Sequence, residues 1–397
     1  MLSSMDTSES AILDLRKRPS RNVVFWVIST MIFTALVYST SCVSVLGPER
    51  TITLTYFTNP LADSMKNSAY SIEFFDRGSL RNTGLESIGE NHWKLARFPL
   101  DAGSYVLQAR SNDLSMAPYK YRFLPTMIVG YVSRLTGKTI PIAFALFNFA
   151  ITVLTATLFT HYLIRDMGFS RIISLLGGVL FVTMVANVQT VPYPMVEPAS
   201  FFFCILIFIS IARKSLVLFV LSSVLGVATK EILAFSSLLW IVNSFPLANR
   251  SFRSILTTAL ISMAPIFAFV LIRVVLGGSA FEVNYGYDML KGEFPGYGSR
   301  LLSVGGILDL CTKVFLSFSF LWFGLINLKK SKILWENSIA IPVVVLAAIL
   351  LSSQIMRVVG VVFPIVIPAF LFFLRGFEPG HGHKTIGLSG VAPESVS

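Results

Sequence analysis

Long apolar runs separated by short polar segments dominate the pattern of this chain. A membrane-spanning helix needs about 20 predominantly apolar residues. The candidate runs, one of which is interrupted near its centre, are 22–46, 139–164, 172–190, 197–212, 216–243, 254–276, 307–328, 338–353 and 357–375. The pattern therefore predicts an all-α polytopic membrane protein.

The interruption at Lys230-Glu231 in the run 216–243 decides the predicted topology. One continuous helix would place Arg250 and the basic run 329–332 outside, whereas a short helical hairpin places both inside. Lys and Arg concentrate in short cytoplasmic loops, which favours the hairpin. Each limb would have about 13 residues, so the pair is predicted to be re-entrant or to cross a thin region. We expect about ten membrane segments, with both termini cytoplasmic.

This topology divides the chain into five parts. They are a cytoplasmic tail (1–21), a first transmembrane helix (22–46), a large extracytoplasmic loop with interfacial helices (47–138), a multi-span domain (139–375) with an outer loop at 277–306, and a flexible cytoplasmic tail (376–397). Within the first loop, the amphipathic segment 122–137 is predicted to be an interfacial helix on the outer face. A short tilted span is the alternative. Both long loops, 47–138 and 277–306, are on the outer side in this topology. Because long loops are usually functional or disordered, we expect the chemistry on that side.

The composition excludes a soluble enzyme, a coiled coil and a disordered chain. Of 397 residues, 54% are hydrophobic and only 13% are charged, about half the charged fraction of a soluble domain. The formal net charge of +11 fits cytoplasmic loops better than a nucleic-acid partner, which is not expected. The three cysteines form no metal or disulfide spacing motif. The sequence also lacks phosphate-binding, dinucleotide-binding and zinc-protease motifs.

Acidic residues of the first outer loop are candidates for catalysis. Asp101 and Tyr105 are four residues apart, so they would share one face of a short helix. A carboxylate there can act as a general base on a hydroxyl or hold a metal. Asp101 can equally cap the helix, and one residue can do both. Asp76, near Arg77, belongs to a second acidic pair that a solvated surface would also explain.

Charges inside or beside spanning runs form a second group of candidates. A charged residue at the centre of a span costs on the order of 3 kcal/mol on insertion scales and usually faces a cavity or a partner. Lys230 and Glu231 fit this description, although a mutual pair at a hairpin turn would also explain them. Arg357 begins a wholly apolar run, where it could bind a phosphate or serve as an interfacial anchor. Arg273 and Arg300 are similar candidates with weaker placement.

The order of these features resembles the GT-C-fold glycosyltransferases. The matching pieces are a first span, an outer loop with Asp101-x-x-x-Tyr105-x-x-x-Ala109, the sequence Tyr121-Arg122-Phe-Leu-Pro125 before an interfacial helix, the inner turn Arg165-Asp-Met-Gly168 after the next span, and a hairpin broken by Lys230-Glu231. The resemblance covers about residues 20–245. It implies a polytopic enzyme that uses a polyprenyl-phosphate-linked sugar.

The resemblance also implies roles for individual residues. An acid of the first outer loop would activate the acceptor or bind a metal, and basic residues near the outer face would hold the lipid phosphate. The residues implied are Asp101 and Asp76 for catalysis, and Lys230, Glu231, Arg357, Tyr105 and Arg122 for substrate binding. No metal ligand is assigned, and the cofactor is open, with a divalent cation as one option. The expected partners are a lipid-linked sugar donor, a glycan or lipid acceptor, and the membrane, in a multi-pass protein of the plasma membrane, expected to be a bacterial inner membrane.

Two alternatives share the same topology. A surface-polysaccharide polymerase or ligase would have similar spans and outer loops, but Arg-rich loops would favour it, and 277–306 contains only Arg300. A transporter or flippase for lipid-linked sugar would favour an internal repeat and charges at mid-depth. The two halves of this chain show no such repeat.

Overall fold

The computed structural model describes residues 19–45, 105, 108–109, 121–138, 140–187, 195–244, 252–276, 303–351 and 355–375. Asp76, Asp101 and Arg300 lie outside these residues, as do residues 1–18 of the first predicted tail, all of the second, and most of the two predicted outer loops. The described residues form helices and short connections and contain no strand. The predicted all-α class is confirmed for this part of the chain.

The helices occur in the following order. The first six α-helices are α1 (Pro19–Val45), α2 (Phe123–Thr136), α3 (Ile140–Arg165), α4 (Arg171–Asn187), α5 (Glu197–Ala212) and α6 (Leu216–Val227). A 3₁₀ segment (Glu231–Phe235) leads into α7 (Ser236–Ser244), which is followed by α8 (Phe252–Val275) and α9 (Val304–Leu316). After a second 3₁₀ segment (Ser319–Lys330) come α10 (Lys332–Asn337), α11 (Ala340–Leu351), α12 (Ile355–Val359), a 3₁₀ turn (Gly360–Val362) and α13 (Phe363–Arg375).

Several of these helices can span a membrane. Four described helical stretches are long and apolar enough, namely Ile142–Arg165, Ile255–Val275, Lys332–Ile349 and Ile355–Arg375. α9 and the following 3₁₀ segment pass the same test together, but they are bent by 73°. The predicted run 307–328 is therefore not one straight helix. Its break includes Ser319, whose φ of 47° lies in the left-handed region that non-glycine residues rarely adopt.

The interrupted run folds back on itself, as the hairpin interpretation predicts. α6 ends at Val227, and a turn through Lys230 leads into the 3₁₀ segment and α7. Phe219 and Trp240 stack with their ring centroids 4.3 Å apart. In one straight helix these residues would lie about 30 Å apart, because each residue adds 1.5 Å. The chain therefore reverses at the position of the two charges.

The core of the bundle is aromatic and centres on α13. Phe159, Phe181, Phe201 and Phe363 are fully or almost fully buried and contact one another through their rings. α13 is buried at every position from Phe363 to Leu371. A helix that is apolar on all sides is expected inside a bundle, and α13 is surrounded by other helices.

The two ends of the bundle contain different sets of charged residues. At one end, the connection after α3 meets the connection after α5 through Asp166, which Arg213 binds with two hydrogen bonds of 3.0 and 2.9 Å. The guanidinium of Arg171 lies 5.5 Å from the Phe25 ring of α1 at the same end. We call this the Arg213 end. α5 has 16 residues, so its first residue, Glu197, lies about 24 Å away at the opposite end.

Candidate functional site

Five ionisable side chains from distant parts of the sequence meet at the end of the bundle that contains Glu197. They are Arg122, Glu197, Lys230, Glu231 and Arg357. We call this set the charge cluster. Its members come from the start of α2, the start of α5, the hairpin turn and α12.

Glu197 connects two cations within the charge cluster. Lys230 Nζ donates to Glu197 Oε1 at 3.0 Å, and Arg357 Nη1 lies 3.6 Å from the same oxygen. Glu197, Lys230 and Arg357 are only 2%, 4% and 7% exposed. Burial of a charge is costly unless an opposite charge lies beside it, so each of the three depends on the others.

Local sequence explains the position of Glu197. It is the first residue of α5, and Pro198, which has no backbone N–H to satisfy, occupies the next position. The helix dipole favours a negative charge at this end. The preceding residue, Val196, provides no side-chain cap. The Glu197 carboxylate therefore lies where both the helix and the neighbouring cations stabilise it.

Arg122 links Tyr105 and the start of α2 to the hairpin turn. Its Nε donates to Glu231 Oε2 at 2.8 Å, and its Nη1 donates to the Tyr105 hydroxyl, also at 2.8 Å. The backbone N–H of Leu124 donates to the carbonyl of Ala228 at 3.3 Å. Burial alone would lower the pKa of Arg122, but Glu231 and Tyr105 raise it well above its usual value. Arg122 therefore stays charged.

Tyr105 belongs to a small apolar core beside the charge cluster. This core also contains Ala109, Val129, Phe144 and Met195. The carbonyl of Ala109 approaches α2 so closely that a Cβ on Gly130 would lie 2.3 Å from its oxygen. Glycine at this position lets the backbone at Ala109 approach α2.

Arg273 places a further cation beside the charge cluster. Its guanidinium lies 4.5 Å from the ring centroids of both Tyr121 and Phe269. Tyr121 directly precedes Arg122, so the end of α8 is held beside the start of α2. The charge cluster and Arg273 together comprise four cations and two carboxylates.

Two carboxylate oxygens of the charge cluster are buried and accept no hydrogen bond from the described residues. They are Oε2 of Glu197 and Oε1 of Glu231. Each belongs to a carboxylate whose other oxygen faces a cation. The cluster therefore combines positive charge with two available acceptors.

Five of the seven site residues predicted from the sequence come together here. Lys230, Glu231, Arg357 and Arg122 are members of the charge cluster, and Tyr105 contacts it. Lys230 and Glu231 do not pair with each other but bind Glu197 and Arg122, respectively. Arg357 is buried and close to Met195 Sδ, at 3.0 Å, so it does not reach out as an interfacial anchor. The placement of Asp101 and Asp76 lies outside the described residues.

Glu197 is the member of the charge cluster that sequence reasoning missed. The available signal was an acidic residue directly before an apolar run, in a Pro-rich turn away from the basic connections. Among the residues that the structure describes, no group of three His, Cys, Asp or Glu side chains could hold a metal ion.

A groove of about 760 Å³ lies elsewhere, along α1. It is lined almost entirely by apolar side chains, including Trp26, Met31, Tyr38 and Phe149. Apolar surface of this kind is expected on a helix that faces lipid, and the groove contains none of the charge cluster.

The chain was compared with protein-family models, curated proteins and solved structures, and none of the three comparisons finds a match.

Proposed function

We propose that the protein is an integral membrane glycosyltransferase. It would transfer a sugar from a polyprenyl-phosphate carrier to a glycan or lipid acceptor on the extracytoplasmic face. The observation that carries this proposal is the charge cluster, in which Arg122, Lys230 and Arg357 from distant parts of the chain converge at one end of the bundle. Convergent Lys and Arg side chains suit a phosphate, because they can bind its oxygens through charge-assisted hydrogen bonds.

The proposed topology places the charge cluster outside the cell. The exposed basic residues Arg165, Arg171 and Lys214 lie near the Arg213 end, which the positive-inside rule assigns to the cytoplasm. The proposal retains about ten membrane segments, cytoplasmic termini and a large first outer loop at 47–138. It places the protein in the plasma membrane as a multi-pass protein, specifically a bacterial inner membrane.

The proposed reaction is a displacement at the anomeric carbon of the donor sugar. The bond from this carbon to the phosphate oxygen breaks, and a bond to the acceptor hydroxyl oxygen forms. The acceptor proton passes to a carboxylate of the outer loop, Asp101 or Asp76, and the lipid phosphate leaves with an additional negative charge. Lys230, Arg357 and Arg122 would stabilise that charge as it develops. If a divalent cation takes part, the same outer-loop carboxylates would bind it.

A transfer assay with purified protein in nanodiscs tests this proposal. The donors are polyprenyl phosphates that carry glucose, mannose or arabinose, and the acceptors are membrane lipids and glycans. We expect Asp101→Asn to reduce turnover by about a hundredfold or more, because a general base contributes 10²–10⁴-fold. Asp76→Asn tests the alternative base in the same assay.

Asp309→Asn is the matched control, because Asp309 lies exposed on α9 and its partner among the described residues is Lys313, four residues away. It should retain wild-type turnover. Wild-type turnover in both the Asp101 and Asp76 variants would contradict a catalytic role for either acid. Polymer formation would support the polymerase or ligase alternative, and flux of lipid-linked sugar without turnover would support a transporter.

A further inference from the structure

The two oxygens of Glu197 lie in different environments. Oε1 faces both Lys230 and Arg357, whereas Oε2 is buried and accepts no hydrogen bond from the described residues. Only 3% of this side chain is exposed. The carboxylate is therefore held firmly on one side and available on the other.

An ionised oxygen in this position requires a donor. A buried acceptor without a partner costs about 1–3 kcal/mol, and more when it is charged, so native proteins rarely retain one. A ligand hydroxyl is a suitable donor, because a hydrogen bond between a hydroxyl and a carboxylate is short and strong.

The neighbours of Glu197 indicate which hydroxyl this is. If Lys230 and Arg357 bind the donor phosphate, then Oε2 of the same carboxylate lies within a few bond lengths of that phosphate. In a glycosyl phosphate, the C2 hydroxyl is on the carbon next to the one that bears the phosphate. We propose that Glu197 Oε2 accepts a hydrogen bond from the C2 hydroxyl of the donor sugar. This inference rests on the proposed glycosyltransferase function.

Glu197 acts here as a binding residue and not as the base. Two cations face its Oε1, so they stabilise its ionised form and make it a poor proton acceptor. Hydrogen bonds to the C2 hydroxyl of a sugar strengthen as positive charge develops at the anomeric carbon. The contact would thus contribute to binding and to turnover while the proton goes elsewhere.

A binding experiment with paired lipids tests this role. Wild-type protein in nanodiscs is titrated with polyprenyl phosphate, with the same lipid carrying glucose or mannose, and with the 2-deoxyglucose form. We expect the 2-deoxy form to bind about tenfold more weakly than the better-bound of the two hexose forms, because a hydrogen bond to a charged group is lost. In Glu197→Gln, this difference should shrink to within about twofold, since the amide replaces the carboxylate.

Glu336→Gln is the control for this substitution, because Glu336 contacts Lys332 on α10, away from the charge cluster. It should preserve the tenfold preference. If Glu197→Gln does not fold, Glu197→Asp replaces it, since a carboxylate shortened by one methylene should also lose the preference.

Two results would overturn the inference. They are equal binding of the hexose and 2-deoxy forms by the wild type, and a preference that persists in both Glu197 variants. In either case, binding of the lipids would leave the proposed function standing. If the wild type binds none of the lipids, the proposed function fails and this inference fails with it.

Discussion

Glu197, Lys230 and Arg357 show how single residues depend on one another in this bundle. Each is almost completely buried, and the two cations face one oxygen of the carboxylate. Replacing a buried ion pair as a whole can be neutral, but removing one partner leaves an uncompensated charge. The three side chains are therefore best regarded as one unit.

We expect Lys230→Met to lower the free energy of unfolding by about 3 kcal/mol, the lower end of the range for breaking a buried pair. The loss arises because Glu197 would keep only the more distant Arg357. Lys332→Met is the control, since Lys332 is 76% exposed and its pair with Glu336 should contribute less than about 1 kcal/mol. Reversible unfolding in detergent with increasing denaturant measures both. Equal losses in the two variants would contradict the dependence of Glu197 on Lys230.

Close packing decides how the elements fit together. Among the described elements, α13 and the 3₁₀ segment 319–330 form the pair with the most extensive packing. At Gly324 a Cβ would lie 2.3 Å from the backbone nitrogen of Phe370. Small residues at helix interfaces let backbones approach in membranes, where the hydrophobic effect does not bring helices together.

We expect Gly324→Ala to destabilise the bundle by about 1–3 kcal/mol, because backbone atoms must move to admit the methyl group. Gly305→Ala is the matched control. Gly305 lies in α9, and no other described element has an atom within 4 Å of an added Cβ, so alanine should be neutral or stabilising there. The thermal midpoint of the purified protein distinguishes the two. A Gly324 variant as stable as the Gly305 variant would show that the 3₁₀ segment and α13 are not in close contact.

The sidedness of the whole molecule determines which end meets which substrate. Opposite ends of the bundle contain the charge cluster and the exposed basic connections, about the length of α5 apart. A lipid phosphate reaches a site at a membrane surface without removing its tail from hydrocarbon. The proposed function therefore requires the charge cluster at the outer surface.

Cysteine labelling in cells tests this orientation. Lys138 and Lys214 are both exposed, the first just after α2 and the second at the Arg213 end. In a background where Cys42, Cys204 and Cys311 are replaced by serine, Lys138→Cys should react with a membrane-impermeant maleimide in intact spheroplasts. Lys214→Cys should react only after permeabilisation. The reverse pattern would place the charge cluster in the cytoplasm and contradict an extracytoplasmic transferase.

Local pattern predicted much of the helical organisation. Most of the described helices fall within the apolar runs or overlap them closely, because a helix in a membrane must be apolar over most of its length. The helix α2 lies in the segment predicted to be interfacial, and α10 lies between two of the predicted runs. The reversal at Lys230-Glu231 was also predictable, since charge is costly within a span. The 73° bend after α9 was not, because the run 307–328 contains no proline or charge at the break.

The amino-acid sequence by itself determined the helical class and the membrane character, favoured a chain reversal at Lys230-Glu231, and indicated most of the cations that surround the candidate site. Only the tertiary structure decided that Glu197, instead of Glu231, is the partner of Lys230 and Arg357, and that Arg122 joins Tyr105 and the start of α2 to the hairpin turn. The physical reason is that apolar periodicity and charge placement act locally along the chain. Ion pairing between residues 33 and 160 positions apart depends on how the helices pack.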